Sequence, residues 1–152
     1  MRRKDKEIKD RKDIESIIRK ADICRIAFSD NNSPYIVPVN FGYKENCLYF
    51  HSAKEGKKID IIRRNNKVCF ECDVDVEWVR TGNPCDWTTK YHSVIGQGEA
   101  FFLNDLEEKE KALDIILEHY SDDKYEYDEK AMNSIAVIKV EIQSMTGKKS
   151  GY

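Results

Sequence analysis

The order of apolar runs constrains the fold of this chain more than any single motif. Short apolar stretches occupy residues 24–29 (CRIAFS), 35–43 (YIVPVNFGY), 47–51 (CLYFH), 68–79 (VCFECDVDVEWV), 93–103 (SVIGQGEAFFL) and 134–145 (SIAVIKVEIQSM). They are rich in β-branched and aromatic residues, and several are bounded by Asn, Asp, Ser, Gly or Pro, which is strand patterning. Helical spacing appears at residues 10–20 with Ile14, Ile17 and Ile18, at 54–66 with Ile59 and Ile62, and at 105–120 with Leu106, Leu113, Ile116, Leu117 and Tyr120. About six strands with helices inserted irregularly do not make the alternation of a doubly wound sheet. The fold class expected is mainly β (α+β): an antiparallel barrel with peripheral helices.

Residues inside these runs add detail. Pro38 has no N–H to give to a ladder, so its strand is an edge, is bulged, or is interrupted where something else lies against it. Gly96 and Gly98 fall on one strand face and suit a bulge or the close approach of a ligand or another backbone. Cysteines at 24, 47, 69, 72 and 85 are odd in number and mostly sit in apolar runs, as reduced core thiols do. Strand alternation sends Cys69 and Cys72 to opposite faces. Cys47 and His51 would share a face but stand about 13 Å apart, so no metal site is expected.

With 152 residues the chain suits one domain, 1–152, having a basic arm at 1–9 and a polar tail at 145–152. Charged residues make up 36% and the net charge is -2, a balance without the bias that nucleic-acid binding requires. The start lacks the apolar core of a signal peptide, and no run is long enough to span a bilayer. A cytoplasmic protein without nucleic-acid or membrane partners is expected.

Between Cys47 and Lys58, the sequence CLYFHSAKEGKK joins a strand directly to a helix start. Ser52 and Glu55 fit a capping box, which would leave the N–H groups of Ala53 and Lys54 free at the positive helix end. Lys57 and Lys58 could add charge, making a seat for a phosphate; the alternative is an ordinary capped helix with solvated lysines.

In this order, MRRKDKEI, PYIVPVNFGY, LYFHSAKEGKK, VCFECDVD, KYHSVIGQGEA and MTGKK resemble the 5-nitroimidazole resistance (Nim) family. That family belongs to the pyridoxamine 5'-phosphate oxidase-like FMN-binding split-barrel superfamily, and the resemblance runs over residues 1–149. It implies a homodimer of six-stranded antiparallel split barrels with FMN in clefts between the subunits. Val39 and Asn40 would lie under the isoalloxazine ring, and Ser52, Ala53, Lys57 and Lys58 would seat the phosphate. His51 would touch the ribityl phosphate or face the ring, and is the one catalytic candidate; alternatively it is a hydrogen-bonded strand-end histidine. Trp87, Tyr91, Gln97 and Gly98 would come from the other subunit, although Trp87 and Tyr91 equally suit packing of the dimer. His92 and His119 read as structural. The implied function is NAD(P)H-dependent, FMN-mediated reduction of small planar acceptors such as 5-nitroimidazoles. The alternative is a non-catalytic flavin- or haem-binding protein for storage or sensing.

Overall fold

A computed structural model describes residues 3–152; Met1 and Arg2 of the expected basic arm lie outside the described residues. The first regular pieces are a 3-10 turn at Lys4–Lys6, strand β1 (Glu7–Ile8) and helix α1 (Arg11–Lys20). Asp10 caps α1 by accepting from the Lys12 N–H, and the helix buries the expected Ile14, Ile17 and Ile18. Strands β2 (Cys24–Asp30) and β3 (Ser33–Val39) form a hairpin, as do β4 (Gly42–Lys44) and β5 (Cys47–Ala53). Both turns are two residues long with left-handed backbone, Asn31 and Asn32 at φ 50° and 68°, Glu45 and Asn46 at φ 49° and 63°. This hand matches the twist of paired strands, and asparagine tolerates it well.

Helix α2 (Lys57–Arg64) follows, then β6 (Lys67–Val79), β7 (Thr88–Leu103), α3 (Leu106–Glu118), α4 (Glu129–Ser134) and β8 (Ile135–Ser150). The strands form one antiparallel sheet in the order β3-β2-β6-β7-β8-β5-β4, with β1 added to β8. The sheet does not close, which is consistent with a split barrel. Its inward residues, including Ile26, Phe28, Phe50, Phe70, Val94 and Ile138, share one core with α1 and α2. A smaller cluster packs α3 and α4 on the outer side of β8 through Val137. No helix among the described residues is long and apolar enough to cross a membrane.

Several boundaries differ from those expected. The run 35–43 is broken at Asn40 and Phe41, because buried Phe41 donates its N–H to the Tyr120 hydroxyl (3.0 Å), which itself donates to the Asp22 carbonyl (2.9 Å). Pro34 and Pro38 are tolerated because β3 is an edge strand. The polar tail is not a tail: residues 145–150 continue β8, paired with β7 on one side and, at Gly147 and Lys148, with β1 on the other. The described part of the basic arm is likewise packed. Helix α4 has no counterpart in the sequence reading, since Met132 is its one buried residue.

Candidate functional site

The open seam of the barrel is the place to build a site. Strand β3 ends the sheet on one side. On the other, β4 covers only Cys47–Tyr49 of β5, so Phe50–Ala53 have a ladder partner in β8 alone. Both ends wrap the same core, through Val37 and Val39 on one side and Leu48 and Phe50 on the other. Two backbone edges with unpaired polar groups therefore border the seam. Helix α2 bridges one end of it: Lys57 Nζ lies 3.9 Å and Arg64 Nη2 2.9 Å from the Asp30 carboxylate at the β2–β3 turn. The chain passes from β3 to β4 through Asn40 and Phe41.

The expected capping box is absent. Ser52 is still in strand, facing inward and half-buried, and its hydroxyl donates to the Ala53 carbonyl (3.1 Å). Strand pairing to Ala136 and Ile135 holds Ser52 and Ala53 extended, so the helix starts later, at Lys57. Gly56 takes the cap position at φ 119°, a conformation that glycine adopts at little cost, and no side chain caps the helix. The first free helix N–H groups thus belong to the Gly56–Lys58 turn rather than to Ala53 and Lys54.

Alternation along β5 puts His51 and Ala53 on the outer face, opposite Ser52. Partial burial, and then the nearby charge of Lys58, hold the His51 imidazole below its ordinary pKa. Lys58 is half-buried and its ammonium is held below the usual lysine value by burial. No carboxylate among the described residues lies within 4.0 Å of Lys58. Lys57 differs: besides Asp30, its ammonium stands 4.8 Å from the centre of the Tyr35 ring. Val39 is buried at the end of the edge strand β3, whereas Asn40 is exposed.

Trp87, Tyr91 and Gln97 are not gathered here. They lie in or before β7, and β8 separates β7 from β5. Trp87 is exposed, donates Nε1–H to the Thr81 carbonyl (3.0 Å) and lies under the Arg80 guanidinium. Tyr91 accepts from Lys148 Nζ (2.6 Å), and Gln97 is exposed on the outer sheet face. Gly98 points inward, where a Cβ would come 2.3 Å from the Glu141 carbonyl oxygen, and Gly96 backs on the Phe70 ring in the same way. Of the options open for these glycines, a bulge between Gln97 and Gly98 and close approach by the chain's own atoms are what the structure contains. His92 Nδ1 lies 3.1 Å from Asp75 Oδ2, and His119 Nε2 donates to the Ala21 carbonyl (2.7 Å). Sequence reasoning missed Asp30 and Tyr35 as the groups that engage Lys57; the turn next to them was legible, but not which helix would pack on it.

The family model described as pyridoxamine 5'-phosphate oxidase matches residues 10–149. The chain belongs to this family. Within its fold, a crystal structure of a candidate 5-nitroimidazole antibiotic resistance protein from Bacteroides thetaiotaomicron is 40% identical to this family member, with TM-score 0.86 over 94% of this chain and 86% of that one. The FAD- and haem-binding protein of Mycobacterium smegmatis is 14% identical, with TM-score 0.87 over 97% of this chain and 74% of that one, a likeness of fold. An uncharacterised protein of Rhizobium meliloti (strain 1021) is 34% identical over 61 residues, and the match spans 40% of each chain.

Proposed function

We propose that this member of the pyridoxamine 5'-phosphate oxidase family binds FMN at the barrel seam and serves as an NAD(P)H-dependent reductase of small planar acceptors. The observation that carries this reading is Lys58: a half-buried ammonium without a carboxylate partner among the described residues, beside an imidazole whose protonation it disfavours. A phosphate placed there would satisfy both groups. The residues therefore fit the cofactor's anionic end, and the unpaired edges of β3 and β5 offer backbone donors and acceptors for the polar rim of a flavin. FMN, when bound, supplies the electron transfer between a nicotinamide donor and the acceptor.

The chain's own residues bind and orient. Lys58 and the N–H groups of the Gly56–Lys58 turn would hold the phosphate, with Lys57 contributing long-range charge while it stays on Asp30. Val39 through its backbone, and Asn40, would meet the ring edge. His51 could accept or donate one hydrogen bond beside the phosphate or the ring and is the candidate for moving a proton. Ser52 and Ala53 would contribute through their position at the strand end, and Gly98 has no part in the site.

Trp87, Tyr91 and Gln97 would reach the flavin only from a second copy, so the reading includes a homodimer with FMN at the subunit interface. The outward sheet face supports it, because Ile36 and Ile95 are 59% and 51% exposed there. The name of the Bacteroides relative makes 5-nitroimidazoles the first acceptor class to examine.

The test is visible absorption of the protein after FMN is added and the excess removed, followed by NADPH or NADH without oxygen. Retained yellow colour that bleaches, and returns on adding a nitroimidazole, is the result expected. Colour that never bleaches would point to a cofactor-binding protein without turnover, and loss of all flavin would overturn the reading.

A further inference from the structure

We propose that a second cleft, on the far flank of α2 from the Lys57–Asp30 contact, binds phosphate esters. It has a volume of about 330 Å³ and lies between α2, the end of β7, the start of β8 and α3. Lys54, Arg63 and Lys109 line it together with Asn104, and no Asp or Glu does. Ile59 and Phe102 are among its apolar walls.

Lys109 provides the independent sign of a ligand. It is 6% exposed, yet its ammonium, which has three donors, meets one acceptor among the described residues, the Met132 carbonyl at 3.3 Å. A lysine packed on the cleft wall with donors to spare favours an acceptor placed in the cleft. Arg63 is also incompletely matched: its guanidinium stands 6.0 Å from the centre of the Phe102 ring, and its carboxylate partner Asp60 is 3.6 Å away on the exposed side of the helix. Lys54 has no carboxylate within 4.0 Å among the described residues. Three cations around an apolar wall suit a dianion carried on an organic group, and a bare anion would leave Ile59 and Phe102 unused.

The cleft opens on a different flank of α2 from the Asp30 contact, while abutting the end of β5: Lys54 follows Ala53, and Ala136 and Ile135 pair with Ser52 and Ala53. Ile59 and Arg63 are four residues apart and share a flank of α2, whereas Lys57 and Arg64 turn to Asp30 on the hairpin. The natural occupant of the cleft is either the adenylate half of a nicotinamide donor or an independent phosphate ester; the chemistry recognised is the same. A nicotinamide donor as occupant rests on the proposed reductase function, and a free ester does not.

Calorimetric titration of the full chain with AMP, adenosine and inorganic phosphate, in the presence of saturating FMN, tests the proposal. AMP is expected to bind, adenosine to give no heat up to millimolar concentration, and phosphate to bind more weakly than AMP. The exposed pair Lys54→Ala/Arg63→Ala should weaken AMP by about ten- to hundredfold, the worth of one or two charged hydrogen bonds. Lys57→Ala/Lys58→Ala, with FMN raised until the weakened seat is again saturated, should leave AMP affinity unchanged. Displacement of AMP by NADPH or NADH assigns the cleft to the donor, and failure to displace assigns it to a free ester. The proposal is overturned by absence of AMP binding, by AMP affinity that Lys54→Ala/Arg63→Ala does not change, or by AMP affinity lost in Lys57→Ala/Lys58→Ala.

Discussion

Lys57 and Lys58 are adjacent in sequence but not in surroundings. Lys57 is spoken for by Asp30 and Tyr35, while Lys58 is desolvated beside His51. If Lys58 meets the flavin phosphate, Lys58→Ala should weaken FMN by about 1–3 kcal/mol, and Lys57→Ala by clearly less. Flavin-fluorescence titration of both variants checks this; equal losses would remove the distinction. His51 gives a pH signature. Its folded pKa lies below the unfolded value, so the unfolded chain takes up more protons as pH falls through about 6.5, and the stability that neutral His51 confers is lost towards the acid side. His51→Gln should therefore gain on the wild type, in urea unfolding, as pH falls from about 8 to about 5.5 across that unfolded value. Gly42 makes a third case. A Cβ there would lie 2.2 Å from the Ile115 carbonyl oxygen in α3, whereas nothing lies within 4 Å of one at Gly82. Gly42→Ala should cost about 1–3 kcal/mol by overpacking, and Gly82→Ala close to nothing.

Elements were legible where their own residues carry the pattern. The alternation of β2, β6 and the first half of β8, and the isoleucine stripes of α1 and α2, all bury the residues that the spacing picked out. What could not be read is what a partner supplies. MTGKKS has no apolar alternation, yet it is strand because β7 pairs with it throughout and because Gly147 lets Ile8 and Ile14 sit close, 3.0 Å and 2.8 Å from where a Cβ would be. The helix start at Ser52 was misplaced for the same reason: β8 keeps Ser52 and Ala53 in strand, and a local capping motif loses to a ladder. Hydrogen exchange should report this directly. Ladder amides between Met145 and Lys149 should be protected like those of β7, while those of Asp122 to Glu126, which lie in no regular element, exchange at once. Rapid exchange across residues 145–149 would mean that the last part of β8 frays and that the polar-tail reading was right.

At the scale of the molecule, the proposed homodimer makes the candidate site half a site. One chain brings His51, Lys58 and the edges of the seam together, but leaves Trp87, Tyr91 and Gln97 on the far side of β8, and no local pattern could say which surface a second copy covers. The sheet's outer face gives a physical answer. Register aligns Ile36, Ala27, Cys69, Gln97 and Ser144 in one row across β3, β2, β6, β7 and β8, and Arg25, Glu71 and Ile95 in the next. Arg25 is already paired with Glu71 (3.2 Å) and with Asp73, so most of the charge in this patch is compensated within the chain. A two-fold interface on this face would bury Ile95 near its counterpart's patch, where a carboxylate is costly. Ile95→Glu should leave the monomer folded, since the residue is 51% exposed, yet shift sedimentation from dimer to monomer. FMN affinity should fall with it if the second copy walls the flavin. A wild-type chain that sediments as a monomer while holding FMN would place the whole cofactor site within one seam and remove Trp87, Tyr91 and Gln97 from it.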